Sequence, residues 1–320
     1  MPKLILKRIL ESIPVLIVVV SLVFAITRII PGNPAIVILG PQASAEDVEK
    51  LNEELGLNDS IPEQFGNYVK GVVQGDLGKS YSYNEPVSDL LMDTFPNTAI
   101  LAGFSILLAL LIGVPIGIIS ATKQYSIFDY ISMILALIGI SMPIFWLGLM
   151  LVLVFSVNLG WLPSMGMGSL QSGLWDYVSH LILPTICLAT IPAANFARIT
   201  RSSMLETINL DYVKALRAKG LSEKVVIWKH GLKNALPPII TVLGMQISSS
   251  LGGAILTETI FSWPGMGKLM VDAINNRDYG LVQGSVLYLA FIYVAINLIV
   301  DIVYMYINPK ISYESGKGGK

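Results

Sequence analysis

Six stretches of the chain are long, nearly free of Asp, Glu, Lys and Arg, and apolar on every face: residues 9–30, 97–122, 130–157, 177–197, 234–257 and 279–300. A helix crossing about 30 Å of hydrocarbon needs roughly 20 such residues. The pattern therefore predicts an all-α membrane protein with six transmembrane helices. Glu11 and Arg28 lie near the ends of the first stretch. The third belongs to an uncharged run reaching Trp175, too long for one span, so Trp161-Leu162-Pro163-Ser164-Met165-Gly166 is expected to break it and leave one helix over 130–157.

Between the first and second stretches the pattern changes. In residues 31–97, Ser44-Ala45-Glu46-Asp47 is a helix N-cap followed by an acidic third position. Val48, Leu51 and Leu55 then share one face, and Gly56 suits the C-terminal stop. A second short helix is expected from Pro62 to about Val73. This predicts a small helical cap, either packed on the span ends or meeting a partner. The expected organisation is 1–30 for the N-terminus and first helix, 31–97 for the cap, 98–310 for the core with a loop at 204–234, and 311–320 for the tail.

Composition sharpens the class. Of 320 residues, 53% are hydrophobic and only 13% charged, about half the charge of a soluble domain. That excludes intrinsic disorder, and the net charge of −1 argues against nucleic-acid binding. Fifteen of the 21 Lys and Arg fall at the termini and in the loops after the second and fourth spans, which places both termini in the cytoplasm. The first apolar stretch reads as an anchor, because it outlasts a signal core and lacks a cleavage site. The balance also hides a polarity: residues 31–97 carry eleven acids and three bases, and residues 198–236 carry eight bases and three acids. Topology alone accounts for the second excess.

No catalytic constellation is present. Cys187 is the single cysteine and His180 and His230 are the only histidines, which leaves no disulfide and no conventional metal site. Gly265-Met266-Gly267-Lys268 fails as a phosphate loop, since Ser262 stands where the first Gly belongs and Leu269 where a hydroxyl belongs. No cofactor is expected, and the chain is read as a non-enzyme. Asp301 is the one ionisable residue clearly inside a span, with Glu258 at the end of the fifth, too few for a proton relay. The fifth span itself is unusual. Met245, Ser248, Ser249 and Gly252 belong to a small, polar stretch ill-suited to lipid, which serves either tight packing or a pathway lining.

Residues 211–219 read as a short helix outside the membrane. Asp211 suits its N-terminus, Arg217 and Lys219 its C-terminus, and Gly220 a left-handed stop. Ser222 can cap a second helix toward Trp228 and His230. Tyr212, Val213 and Leu216 give the first helix an apolar face, open to a membrane surface, to DNA as a helix-turn-helix, or to a cytoplasmic protein.

Asp211-Tyr212-Val213-Lys214-Ala215-Leu216-Arg217-Ala218-Lys219-Gly220-Leu221, followed by His230-Gly231-Leu232-Lys233-Asn234-Ala235, resembles the loop of permease subunits of binding-protein-dependent ABC importers, in their oligopeptide/dipeptide branch. Leu162-Pro163-Ser164-Met165-Gly166, the run from Glu258 to Gly267 that includes Trp263-Pro264-Gly265, and Arg277-Asp278-Tyr279-Gly280 are similar to further motifs of that branch, with Gly280 where Pro is usual. Asp301, Tyr304 and Asn308-Pro309-Lys310 resemble its closing segment, where Asp-Pro-Arg is commoner. The direct entry into the first span and the long acidic loop resemble the B-type subunit. The resemblance implies a type I importer permease fold in a bacterial or archaeal cell membrane. It further implies a heterodimer with a second permease, two cytoplasmic ABC ATPases and an extracytoplasmic substrate-binding protein. Asp211, Tyr212, Val213, Ala215, Leu216, Arg217, Ala218, Lys219, Gly220 and Leu221 would then form the ATPase-coupling helix and its stop. Met245, Ser248, Ser249 and Gly252 stand as pathway candidates. Peptide is the expected cargo; nickel, a metal chelate or glutathione are the alternatives within the family, and a self-contained secondary transporter the alternative outside it.

Overall fold

The computed structural model describes residues 2–29, 34–40, 42–54 and 56–307. The helices in chain order are α1 (Pro2–Ile29), α2 (Pro34–Leu39), α3 (Ala45–Glu54), α4 (Ile61–Val73), α5 (Val87–Thr122), α6 (Ile127–Ser141), α7 (Ile144–Leu151), α8 (Leu174–Ile208), α9 (Asp211–Ala218), α10 (Glu223–Val225), α11 (Leu232–Ile260), α12 (Met266–Asn275) and α13 (Tyr279–Ile307). Wider π-helical turns, Val152–Asn158 and Val226–Gly231, continue α7 and precede α11. Among the described residues, five helices are long and apolar enough to cross a membrane, and the bent pair Ile127–Ser141 with Ile144–Asn158 makes a sixth when taken as one span. Asn308-Pro309-Lys310, Leu55 and the side chains of Asp301 and Tyr304 lie outside the described residues.

The third span departs from the single helix expected over 130–157. Its two halves meet at 104°, with an additional break at Met142–Pro143 inside the stretch expected to be continuous. Pro143 has no N–H and crowds the residue before it out of the helical region. Met142 accordingly sits at φ −79°, ψ 124°. The loop at Trp161 exists as well, so the uncharged run is interrupted twice.

The chain divides into two compact units. One comprises Asn97–Pro264 with the chain from Ala295, the other Pro2–Pro96 with Gly265–Val294. In the first unit α5 and α8 approach through small residues. A Cβ on Gly113 would lie 2.4 Å from the Ala193 carbonyl oxygen, and one on Gly117 2.6 Å from that of Ala197. Glycines four apart against alanines four apart are the close-contact pattern of membrane helices, where packing replaces the hydrophobic drive available in water. Phe196, Ala109, Ala189 and Ile239 fill the layer beside this contact. Leu183, Cys187 and Phe261 form another layer, against Leu147, Leu151 and Phe155 of the second half of the broken span.

The second unit holds the cap. Ser60 and Glu63 close a reciprocal capping box at the start of α4, and the Ser60 hydroxyl and amide hold the Glu63 carboxyl below its usual range. Ser44 caps α3 through the Asp47 amide, 3.1 Å away. Phe24 of α1 packs on Phe65 and Tyr68 of α4, with ring centroids 5.2 and 5.7 Å apart. Burial pushes the Tyr68 phenol up to about 12. The loop before α5 is pinned by Asp278, whose buried carboxylate accepts from the Ser80 hydroxyl (2.6 Å) and from the Ser82 (2.9 Å) and Leu281 (3.1 Å) amides. Asp278→Ala leaves those donors without this acceptor. It is expected to cost about 1–3 kcal/mol, seen as faster amide exchange across residues 78–87.

Candidate functional site

The segment joining α8 to α11 is a folded knuckle. Its first helix, α9, starts at Asp211 and ends in a Schellman motif: the Gly220 amide donates to the Arg217 carbonyl (2.9 Å) and the Leu221 amide to that of Leu216 (3.4 Å). Gly220 sits at φ +79°, the left-handed region that only glycine enters without penalty. Across this turn the Arg217 guanidinium grips Glu223 through Nε (2.6 Å) and Nη2 (3.3 Å). The Tyr212 hydroxyl donates to the His230 carbonyl at 3.4 Å. The π-helical turn at Val226–Gly231 buries Val226 and Gly231. Beneath the knuckle, Met204 and Ala235 pack with Ile118 and Ala121 of α5, flanked by Leu205, Ile208, Ile227 and Leu232. α9 therefore sits over a packed platform continuous with α8 and α11.

The apolar face of α9 is not wholly free, as the sequence pattern alone had implied. Val213 is fully buried within the chain, and Tyr212, Leu216 and Leu221 are half-buried. Asp211, Ala215, Arg217, Ala218, Lys219 and Gly220 are exposed. Lys214 is exposed too and pairs with Asp211 at 2.9 Å. The amphipathic pattern is met partly by the neighbouring turn, which a periodicity argument cannot show. Leu210 (50% exposed) and Trp228 (43%) offer apolar surface on the same knuckle. Neither stands out in the sequence, because helical spacing marks positions on one element and says nothing of a surface assembled from two.

Along α11, Met245, Ser249 and Gly252 fall on one exposed face, at the spacing of a single helical stripe. Thr241, Leu256 and Thr259 extend that stripe. Gly252 has open space where a side chain would be. Ser248, one turn from both Met245 and Gly252, lies at the edge of this stripe and is only 4% exposed, so burial separates it from the other three candidates. The hydroxyls of Thr241 and Thr259 donate to carbonyls one turn back, at 3.1 and 2.7 Å. Those two hydroxyls are thereby satisfied within the helix itself.

The far end of α11 is locked. Glu258 is fully buried and accepts from the Thr98 hydroxyl at 2.7 Å. The Trp263 indole donates to the Asn97 carbonyl (3.0 Å), and the Asn97 side-chain amide to the Pro264 carbonyl (2.8 Å). The Gly166 amide donates to the Phe261 carbonyl at 2.7 Å. The Glu258–Pro264 run and the Leu162–Gly166 turn thus meet in one clasp. Trp263→Phe removes the indole donor and part of a fully buried ring together, and is expected to cost about 2–4 kcal/mol, read by thermal unfolding in detergent.

Sequence reading missed one further ionic group. Asp129, in the first turn of α6, is 2% exposed and takes a bidentate grip from Arg201 of α8, at 2.6 and 2.7 Å. Both residues sit near span ends, where charges look ordinary, and their separation of 72 residues hides the pairing.

Residues 1–102 match the N-terminal model, and residues 113–313 the main model, of the family described as binding-protein-dependent transport system inner membrane component. The chain is similar to the dipeptide transport system permease protein DppB of Alkalihalophilus pseudofirmus, 48% identical over 96% of this chain and 98% of that one. It is 43% identical to the oligopeptide transport system permease protein AppB of Bacillus subtilis, and 42% identical to the glutathione transport system permease protein GsiC of Escherichia coli. In each case the match covers 97% of this chain and 99% of the relative. Among solved structures, an inward-facing MetNI methionine ABC transporter is similar with a TM-score of 0.56 at 20% identity, over 68% of this chain and 96% of that one.

Proposed function

Because the chain belongs to the family of binding-protein-dependent transport system inner membrane components, we propose that it is the B-type permease of a peptide importer. It is a multi-pass membrane protein with the type I importer permease fold. The observation that carries the peptide reading is the 48% identity to a dipeptide permease over nearly the whole of both chains. Glutathione, itself a modified tripeptide, is the second reading, on the strength of the 42% relative.

In this reading the protein forms half of a translocation pathway with a second permease. Two cytoplasmic ABC ATPases supply the hydrolysis, and a substrate-binding protein delivers cargo to the outer side. Both termini face the cytoplasm. The knuckle is the coupling element: Ala215, Leu216, Ala218 and Lys219 meet an ATPase, Leu210 and Trp228 flank the contact, and Val213, Tyr212 and Arg217 brace the helix from behind. Asp211 and Lys214 neutralise one another, and Gly220 and Leu221 fix the stop. Closure of the ATPases displaces α9, and the braced platform passes the motion into α8 and α11. The exposed stripe at Met245, Ser249 and Gly252 then lines the path, with Ser248 packing behind it.

The test is reconstitution of both permeases, both ATPases and the binding protein in liposomes. Uptake of labelled peptide is expected only with ATP on the ATPase side and loaded binding protein on the other. Flux through this chain alone under a proton or sodium gradient would overturn the reading. Competition by glutathione without competition by dipeptides would transfer the cargo to the second reading.

A further inference from the structure

We propose that the Asp129–Arg201 pair is a register pin that makes α6 move with α8 when the coupling knuckle is displaced. The proposal rests on the coupling reading above and adds the residues that carry motion beyond α8.

Three helix ends converge on one carboxylate. Asp129 of α6 accepts from Arg201 Nε and Nη2 of α8 (2.6 and 2.7 Å), from the Ser120 hydroxyl of α5, and from the Tyr125 amide at 3.0 Å. Tyr125 holds φ +61° in the turn between α5 and α6, an unfavourable conformation for a residue with a side chain, and its amide is thereby aimed at the carboxylate. The Asp129 amide itself donates to Ser126 Oγ at 3.2 Å, fixing the first turn of α6. Arg201 lies two turns before the end of α8, and α9 begins three residues after that end.

The other contacts among these helices have a different character. Gly113 and Gly117 against Ala193 and Ala197, and Gly139 against Thr190, are close van der Waals contacts, and of these only the Gly139–Thr190 contact lies between α6 and α8. A bidentate guanidinium–carboxylate pair is directional and adds to that packing a polar constraint on the register of α6 against α8. Its partners are satisfied at the buried end of the pair, so a displacement of α8 carries Asp129 and α6 with it. At the opposite end of α6 the break at Met142–Pro143 removes helical continuity. α6 can therefore swing without dragging α7, which stays seated through Leu147 and Leu151 on the Leu183–Cys187–Phe261 layer.

A merely structural ion pair and a register pin differ in one respect. Removing both charges together relieves the burial penalty of an unpaired charge, so a structural role is restored in the double variant Asp129→Asn with Arg201→Gln. A pin is not restored, because the neutral pair no longer holds a directional fork. The full importer is reconstituted with wild-type chain, with Arg201→Gln, with the double variant and with Gly220→Pro. Abundance, ATPase co-purification, ATP hydrolysis and peptide uptake are measured on each. The double variant is expected to regain wild-type abundance and ATP hydrolysis while uptake per ATP stays lower by about tenfold, the size of an ordinary coupling between sites. Uptake per ATP equal to wild type in the double variant, with uptake lost in Gly220→Pro, would overturn the pin and leave the coupling reading standing. Uptake retained in Gly220→Pro as well would overturn both.

Discussion

Peptide uptake by the assembled importer is expected to vanish with Gly220→Pro, while the chain still inserts and reaches near-normal abundance. Proline fixes φ near −65°, whereas Gly220 holds +79°. The Schellman motif that closes α9 cannot form, and the Arg217–Glu223 grip across the turn loses its geometry. The fault is confined to a surface knuckle, so the spans pack as before. Gly220→Ala provides the graded control: the left-handed conformation costs about 1–2 kcal/mol for a residue with a Cβ, and uptake is expected to fall without disappearing. Leu216→Asp reaches the same end by another route. Leu216 is half-buried at the closing turn of α9, and a carboxylate there meets the proposed ATPase contact with a charge needing water. Loss of ATPase co-purification with intact insertion supports the coupling role of α9, and normal uptake in either variant refutes it.

Gly117→Val is expected to prevent recovery of folded protein. The new Cβ would lie 2.6 Å from both the Ala197 carbonyl oxygen and the Thr200 Cβ, and 3.0 Å from the Arg201 amide nitrogen. Two of these three atoms are backbone, so no rotamer change relieves the clash and α5 must move away from α8. Overpacking of an ordinary core costs about 1–3 kcal/mol; here the displaced helix also carries Ser120 away from Asp129. Thermal unfolding in detergent, followed by size-exclusion, reads the loss. Gly103→Ala is the matched control, because open space surrounds that position on the same helix. It is expected to be neutral or slightly stabilising, by up to about 1 kcal/mol.

How much of this was legible before the structure varies with the range of the interaction. The capping of α3 by Ser44, the extent of α4, the start of α9 at Asp211 and the left-handed stop at Gly220 all follow from local chemistry. The loop at Trp161–Gly166 follows from local chemistry as well; the bend at Pro143 inside the third span does not, because proline is common within membrane helices that stay continuous. The inward turn of Val213 was not legible. An amphipathic helix shows which residues share a face, never whether the face is covered by the same chain or by another.

The sequence by itself determined the membrane class, the number of apolar stretches, the family and the site of the knuckle, because burial in lipid and short-range capping depend only on neighbouring residues. Only the tertiary structure decided which residues of the knuckle are buried within the chain and which stay exposed. It alone set Ser248 apart from Met245, Ser249 and Gly252, and brought Asp129 to Arg201. Those outcomes depend on contacts between helices distant in the chain, where directional hydrogen bonds and backbone-close packing select one register among several that the apolar pattern tolerates equally.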